Sequence, residues 1–417
     1  MTTRLGRRAL LAASASLVGC SRTRPEPGTI RLWFTYGGNN RKVLLDLVER
    51  YQEHTGMRVE ATYQGDYFEG LVKLRTGLFV DAVPTITHVV GEVIPYLVRA
   101  DALQPIDDVG DETLEELVPA LAQSGTFEGA PDDRTFALPF NRSTPIAYLN
   151  ADLFEALDLS PPTTWDELRT VATMLRVREG ERTERWGFEC PIDWWFWVAL
   201  VGQAGGRLVE PDGEVSLGHA AGAEAMRLWQ TMIHDDRTMK PPPGRDYNAW
   251  EATNADFLAG RVGMIWTSTA FLRYLEDNAR FRVVTAPLPK KERFSVPTGG
   301  TFFVMPRGID GAEREAGLSF LRWMMKPRQA NEWAMKTGYM PVNQRGYEAL
   351  KTEGYYDAHP HDRVTLDQLA HARPWPWAPE LFRIQREAVQ PRLEAAVLQA
   401  SDPDRALTEA KKSLEGA

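Results

Sequence analysis

LPFNRSTPIAYLN, at residues 138–150, is the stretch of sequence that decides the fold. Its two prolines, Pro139 and Pro145, fix φ and remove backbone donors, so the segment is predicted to be extended rather than helical. Regions that alternate strands with helices lie on both sides of it. The sequence therefore predicts that residues 138–145 carry the chain from one lobe to another.

Upstream of this stretch, residues 29–36 form a β-rich run and residues 40–55 have the apolar spacing of an amphipathic helix. Residues 57–64 alternate as a strand does. A strand, a helix and a strand in this order predict a βαβ unit, and hence a parallel sheet.

The rest of the chain continues the alternation. Helices are predicted at residues 67–78 and from Thr164, which has capping-box spacing, to about 178, and the chain is mostly helical from 312 onward; strands are predicted at 83–90, 260–267 and 299–305. We predict an α/β protein of two lobes that share the chain discontinuously. A second crossover is expected near residues 266–269.

The predicted division assigns residues 29–140 and 269–325 to lobe 1, and residues 141–268 and 326–417 to lobe 2. A groove between two lobes is a natural place for a ligand.

Composition narrows the class of function. The 417 residues are 43% hydrophobic and 25% charged, which are globular values, and the net charge of -9 argues against a nucleic-acid partner. Of the two cysteines, Cys20 belongs to an N-terminal signal. Cys190 is then left alone, so no intramolecular disulfide is expected.

The N-terminus has the layout of an export signal. Arg4, Arg7 and Arg8 precede an apolar run of about ten residues, too short to span a bilayer, which ends at Leu17-Val18-Gly19-Cys20. This end resembles a bacterial lipobox, and the paired arginines resemble a twin-arginine signal. We expect residues 1–19 to be a signal peptide, Cys20 to be lipidated and residues 20–28 to be a tether that holds an extracytoplasmic domain at a membrane.

Catalytic and nucleotide-binding motifs of the GxxxxGK[ST], GxGxxG and GxSxG types do not occur in the sequence. His359, His361 and His371 have no metal-ligand spacing, so no metal and no cofactor are expected. The thirteen tryptophans are a high count. Those at 194, 195 and 197, and at 375 and 377, supply flat apolar faces that suit core packing, sugar stacking or cationic head groups alike.

Three segments, in order and behind a lipobox, carry a family resemblance: residues 138–150, residues 297–305 around Gly299-Gly300, and residues 337–342 (TGYMPV). The chain resembles the extracellular solute-binding proteins of carbohydrate-type ABC importers, and within them the glycerol-3-phosphate- and glycerophosphodiester-binding branch (UgpB type). Residues 355–369 also match that branch. The resemblance implies a type II periplasmic-binding-protein fold that closes over a small molecule, docks on membrane permease subunits, binds no ATP and is monomeric.

The resemblance also implies ligand-contacting positions, whose hydroxyl groups, backbone N–H groups and aromatic faces suit a polar, phosphorylated solute. The expected ligand-binding residues are Tyr67, Glu92, Ser143, Trp194, Trp195, Ser268, Gly299, Gly300, Tyr339 and Trp375.

Two departures from the branch affect the ligand. The acidic residue that binds glycerol hydroxyls falls on Gly91, with Glu92 beside it, and the phosphate-binding arginine is missing near residues 378–379. Arg142 and Arg373 are the substitute candidates for a phosphate partner. A mono- or oligosaccharide is therefore the alternative ligand, and an extracytoplasmic enzyme or a purely structural envelope protein are the alternative classes.

Overall fold

The computed structural model describes residues 28–122, 134–210, 213–373 and 375–415. The predicted signal peptide (1–19), Cys20 and almost all of the predicted tether (20–28) lie outside the described residues. Among the helices of the described ranges, none combines the length and apolar character that a bilayer crossing requires.

The strands are β1 (Ile30–Phe34), β2 (Val59–Tyr63), β3 (Thr87–Val90), β4 (Ala137–Ser143), β5 (Pro145–Asn150), β6 (Val177–Glu179), β7 (Arg182–Glu189), β8 (Met239–Lys240), β9 (Val262–Ser268), β10 (Val283–Ala286), β11 (Val296–Pro297), β12 (Gly299–Val304) and β13 (Ala372–Arg373).

The helices are α1 (Gly38–Thr55), α2 (Tyr67–Phe79), α3 (Ile94–Arg99), α4 (Asp111–Glu115), α5 (Pro119–Ala122), α6 (Ala151–Ala156), α7 (Trp165–Leu175), α8 (Trp194–Gln203), α9 (Ala220–Gln230), α10 (Asp246–Leu258), α11 (Leu272–Asn278), α12 (Gly311–Met324), α13 (Pro327–Thr337), α14 (Gln344–Thr352), α15 (Tyr355–Ala358), α16 (Pro360–Asp367), α17 (Leu381–Arg383), α18 (Gln390–Gln399) and α19 (Pro403–Glu415). Short 3₁₀ turns lie at Gly91–Val93, Asp107–Val109, Thr269–Phe271 and Gln368–His371, and π-helical turns at Thr231–Asp235 and Ile384–Val389.

The first βαβ unit is confirmed. Strands β1 and β2 are parallel, with Ile30 opposite Val59 and Phe34 opposite Tyr63. Helix α1 buries the apolar face that the spacing predicted. Helix α7 starts at Trp165 as expected, where the Thr164 hydroxyl accepts from the Glu167 N–H, but it ends at Leu175 because Arg176 turns extended and β6 begins.

Of the four sheets in the described chain, β1-β2 and β11-β13 are two-stranded, and the two largest organise the fold. In one, β12 lies antiparallel between β3 and β4, and backbone hydrogen bonds join the segment before β3 to β1. The other has the order β10-β5-β9-β7-β6, with β8 beside β7. Thr144 alone separates β4 of the first sheet from β5 of the second, so the segment at 138–150 does pass between the sheets.

Each sheet has its own core. One cluster of buried apolar residues draws on residues 30–140 and 302–342, and the other on residues 147–288, on Val296 and on residues 375–410. Strand β5 is buried on both faces, because Ala147 and Leu149 face the second cluster while Ile146 and Tyr148 face a third, smaller one.

The predicted division into lobes stays a prediction, and this packing favours other boundaries. The chain does not leave the second sheet at residue 269, because β10 pairs antiparallel with β5. It crosses between β11 and β12, at about residue 298. Residues 330–342 then pack in the first core rather than with the second lobe. We therefore propose lobe 1 as residues 29–143 and 298–343, and lobe 2 as the intervening and following segments.

Candidate functional site

A cluster of two phenols and an amide lies on the lobe 1 side, and we call Tyr67, Asn141 and Tyr339 the hydroxyl cluster. The Asn141 amide nitrogen donates to the Tyr67 oxygen at 3.1 Å and to the Tyr339 oxygen at 3.2 Å. The two phenol oxygens are 3.5 Å apart. Two of the predicted ligand-binding residues, 272 positions apart in sequence, are thus brought together by a third residue that the sequence analysis did not single out.

Local structure places each member of this cluster. Tyr67 opens α2, whose N-cap Asp66 accepts from the N–H groups of Phe68 and Glu69, both at 2.8 Å. Tyr339 follows the left-handed Gly338 that ends α13. The two helix ends therefore aim both phenols at Asn141 on β4.

A buried chain of hydrogen bonds fixes the direction of the Asn141 amide. The Thr35 N–H donates to Nε2 of His88 at 2.9 Å, so the ring proton is on Nδ1, which donates to the Thr301 hydroxyl at 2.5 Å. The Thr301 hydroxyl and the Thr301 N–H, the latter at 3.0 Å, both donate to the Asn141 side-chain oxygen.

This chain of hydrogen bonds determines which groups of the hydroxyl cluster donate. The Asn141 nitrogen is left to face the phenols, and both phenol oxygens accept from it. Neither phenol donates to Asn141; one of them can donate to the other across 3.5 Å, and either can turn its proton to a ligand oxygen. Burial lowers the pKa of His88 to about 3, so the ring stays neutral and the directions of the bonds hold at ordinary pH.

Indole side chains of the second core meet the first sheet at Thr298, and we call Trp194, Trp195 and Trp375 the indole cluster. The indole nitrogens of Trp375 and Trp195 point at the Thr298 carbonyl oxygen, at 2.9 and 3.4 Å. Trp194 stacks on Trp375 with ring centroids 6.1 Å apart. The Asp193 carboxylate accepts from the Trp195 N–H at 2.8 Å and starts α8 there.

Arg142 and Glu92 are the charged groups between these two clusters. Arg142 is fully buried, donates from Nη2 to the Thr298 hydroxyl at 2.9 Å, and lies over the Phe302 ring at 4.1 Å. Burial raises the pKa of Glu92 to about 7 against the opposing pull of Arg142. Burial lowers the pKa of Arg142 to about 9 despite the opposing charge of Glu92.

Thr298 is where the two sides meet. Its hydroxyl accepts from lobe 1 through Arg142, and its carbonyl accepts from the indoles of lobe 2. It lies at the point where the chain crosses back between the sheets. Movement of one lobe against the other would therefore change the surroundings of the charged pair directly.

The two predicted glycines have packing reasons of their own. A Cβ on Gly299 would lie 2.4 Å from the Trp195 ring, and Gly300 has a φ of 84° beside the Asn141 carbonyl. Only glycine fits both positions. Whether their N–H groups meet a ligand stays a prediction.

The predicted serines both lie in the strands beside Thr144. Ser143 pairs with Gly299 in the ladder of β4 and β12, and Ser268 pairs with Pro145 in the ladder of β5 and β9. Both are buried. The Ser268 hydroxyl accepts from the Ala270 N–H at 3.1 Å, which leaves its own proton for another acceptor.

Arg373, the other candidate from the sequence, and Arg383 lie elsewhere. Arg373 is exposed on β13, and Arg383 donates to the carbonyls of Ser413 and Leu414, each at 3.0 Å. Within the described ranges no group of histidine, cysteine or acidic side chains has the geometry to hold a metal. Cys190 is buried and unbridged, and burial raises the pKa of its thiol.

Sequence reasoning missed Asn141, His88 and Thr301, which lie far apart along the chain and meet only in the folded protein. It also missed Tyr36, whose buried hydroxyl has no hydrogen-bond partner among the described residues and interacts electrostatically with Tyr339. A polar residue inside a run of buried strand residues, as Asn141 is within β4, was the available signal.

Comparison with known proteins agrees with this architecture. Residues 46–357 match the family described as bacterial extracellular solute-binding protein. The sn-glycerol-3-phosphate-binding periplasmic protein UgpB of Pectobacterium atrosepticum is 23% identical over 372 residues, which cover 84% of this chain and 81% of that protein.

Two solved structures show the same fold. UgpB from Mycobacterium tuberculosis in complex with glycerophosphocholine has a TM-score of 0.81 and 23% identity, covering 94% of this chain and 98% of that one. Maltose-bound T. maritima MalE3 has a TM-score of 0.81 and 19% identity, covering 93% and 99%. The two-lobed α/β binding-protein fold and the matched family model agree, and the chain belongs to the bacterial extracellular solute-binding protein family.

Proposed function

We propose that this solute-binding protein of an ABC importer captures glycerol-3-phosphate or a glycerophosphodiester between its lobes and delivers it to permease subunits in the membrane. The observation that carries the proposal is the meeting of the hydroxyl cluster of lobe 1 with the indole cluster of lobe 2 around Arg142 and Glu92. Hydroxyl donors and a guanidinium suit phosphate oxygens, and the Glu92 carboxyl suits glycerol hydroxyls.

The named relatives support this choice of ligand. The curated relative is a glycerol-3-phosphate-binding protein, and one structural neighbour holds glycerophosphocholine. The indole cluster offers flat apolar faces for the substituent of a diester. The predicted set of ligand-binding residues is carried into this proposal unchanged, with Asn141 and Arg142 added.

A mono- or oligosaccharide is the second candidate. Packed aromatic rings favour a sugar, since Trp195 and Phe196 both pack against Trp250, with ring centroids 5.5 and 4.9 Å apart. Aromatic faces stack on sugar rings, and a neighbouring structure is maltose-bound. In this reading Glu92 accepts from sugar hydroxyls.

Delivery follows from the two-lobed form. A ligand that bonds to both lobes shifts the equilibrium between open and closed forms toward the closed form, by as much as its affinities for the two differ. The family places the protein outside the cytoplasm. We propose in addition that it acts as a monomer without catalytic activity, and that the lipid on Cys20 keeps it beside the permease.

Isothermal titration calorimetry on residues 21–417 tests the proposal, with glycerol-3-phosphate, glycerophosphocholine, maltose and trehalose titrated in parallel. Micromolar binding of phosphorylated ligands alone supports the first candidate, and binding of a sugar alone supports the second. Trp195→Ala and Tyr339→Ala should both weaken binding. Unchanged affinity in both variants would contradict the placement of the site, and turnover of any ligand would contradict the non-catalytic role.

A further inference from the structure

We propose that Arg142 is the anion-binding group of the cleft, and that the fold keeps its guanidinium buried with unused donors, at a cost in stability, for an anionic oxygen pair of the ligand. This inference rests on the proposed function, because it takes the solute to bind between the lobes. It assigns the role of the arginine missing near residues 378–379 to a different residue, Arg142 on β4.

The donor inventory of Arg142 is the first step. A guanidinium has five N–H donors in a planar fork. The Nη2 atom donates to the Thr298 hydroxyl at 2.9 Å, whereas Nε and Nη1 are buried and have no hydrogen-bond partner among the described residues. The side chain is fully buried.

The charge of Arg142 is also left without an ion pair. No carboxylate of the described residues lies within 4.0 Å of its guanidinium. Acidic residues are not scarce, since the chain has 57 of them against 48 lysines and arginines. Glu92 acts on Arg142 only electrostatically. A buried charge without a hydrogen-bonded partner is destabilising. The buried Arg142 therefore lowers the stability of the protein unless a ligand bonds to its guanidinium.

The orientation of the guanidinium fits an oxyanion. Phe302 lies against its face at 4.1 Å, which fixes the plane of the fork, and Thr298 fixes one end. Nε and Nη1 each form an edge of the fork with Nη2, whose second N–H is not used by Thr298, so one such edge can bind two oxygens of a phosphate or carboxylate at once. The Met340 N–H, next to Tyr339 of the hydroxyl cluster, donates to the Arg142 carbonyl at 2.9 Å, so the two segments lie side by side.

The rival candidate has none of these properties. Arg373 is exposed on β13. An exposed guanidinium already has water on its donors and gains little from an exchange of partners. Substitution of Arg142 and substitution of Arg373 should therefore affect stability and binding differently, and a pair of matched variants can test this.

The test uses Arg142→Met, Arg142→Lys and the rival Arg373→Met, with Arg405→Met on the exposed face of α19 as the matched control. Inorganic phosphate, glycerol-3-phosphate and maltose are the calorimetric probes, and melting temperature is recorded without and with each probe. Arg142→Met should lose at least a hundredfold in affinity for phosphate and glycerol-3-phosphate, while its melting temperature without ligand stays equal to or above that of the wild type.

Arg142→Lys should recover only part of the affinity, because an ammonium keeps the charge but not the planar fork. Arg373→Met and Arg405→Met should bind within twofold of the wild type. Loss of binding in Arg373→Met, or wild-type binding in Arg142→Met, would overturn the inference. A fall of several degrees in the melting temperature of both Arg142 variants would also overturn it, since a purely structural arginine would give that result.

The same data separate this inference from the proposed function. If glycerol-3-phosphate binds the wild type and Arg142→Met equally, the proposed ligand stands and the role of Arg142 is wrong. If phosphate binding depends on Arg142 but neither glycerol-3-phosphate nor glycerophosphocholine binds, the anion site stands and the proposed ligand is wrong. Binding of maltose alone overturns both.

Discussion

Asn141→Asp reverses the direction of the hydrogen bonds in the hydroxyl cluster without changing the shape of the side chain. In the wild type the Asn141 nitrogen donates to Tyr67 and Tyr339 at 3.1 and 3.2 Å. An aspartate has only acceptors at these positions, so both phenols must donate to it and no longer to a ligand. The new carboxylate keeps the donors of Thr301, and the variant should therefore fold.

The size of the effect follows from the bonds withdrawn. A hydrogen bond to a charged group contributes about 1.5–3 kcal/mol, so loss of two weakens phosphate binding by ~3 kcal/mol or more. Since 1.4 kcal/mol corresponds to a tenfold change, the dissociation constant should rise by at least about a hundredfold. Repulsion between the new carboxylate and an anionic ligand acts in the same direction.

A double-mutant cycle separates the two contributions. Tyr339→Phe alone removes one donor and should weaken binding about tenfold. In the Asn141→Asp background that donor is already turned away, so adding Tyr339→Phe should change affinity less than twofold. Calorimetry on the four proteins, with circular dichroism to check folding, gives the coupling. Equal effects of Tyr339→Phe in both backgrounds would refute the reasoning, as would wild-type affinity in Asn141→Asp.

The remaining predictions concern acid sensitivity and packing. Because the pKa of Glu92 is raised to about 7, affinity for glycerophosphocholine should fall as pH rises from 6 to 8, a range in which the diester itself does not titrate. This pH dependence should vanish in Glu92→Gln. An unchanged pH dependence in that variant would contradict the prediction. The pKa of His88 is lowered from 6.5 to about 3, so the stability it contributes is present above pH 6.5 and is lost as pH falls toward 3, by up to about 1.4 kcal/mol per pH unit. Urea unfolding at pH 4 and 7 should show a smaller loss in His88→Gln than in the wild type. Gly299→Ala places a methyl group 2.4 Å from the Trp195 ring and should destabilise by ~1–3 kcal/mol, whereas Gly37→Ala, with no atom within 4 Å, should melt close to the wild type.

Local sequence signals were sufficient for much of the fold. The parallel pairing of β1 and β2 follows from apolar spacing, and the passage between sheets at Thr144 follows from two prolines in an extended run. The second passage, which we propose at about residue 298, lies about thirty residues after the predicted one. Strand β10 has only four residues, too few for a clear alternation, and its pairing with β5 is a contact between distant segments.

Some residues of the candidate site could likewise be predicted from the sequence and others could not. Tyr67, Tyr339 and the tryptophans were found because recognisable segments carry them. Asn141, His88 and Thr301 were missed because each is an ordinary polar residue until the fold joins them across 53 to 213 positions of sequence. No local sequence pattern indicates a hydrogen bond between residues so far apart. The donor and acceptor roles in this hydrogen-bonded chain also depend on all of its members.

Buried polar groups are normally hydrogen-bonded, and a group that breaks this rule supports the proposed position of the binding site. At Asn141 the buried polar groups are paired, since His88, Thr301 and Asn141 are bonded to one another. Arg142 is buried on the same strand as Asn141, yet two of its nitrogens are unused, and burial displaces the pKa of neighbouring Glu92. Arg142 therefore leaves its side of β4 incomplete, in contrast to Asn141 before it. The incomplete side faces the joint between the lobes, where a ligand can supply what the protein lacks and where its bonds can hold the lobes together.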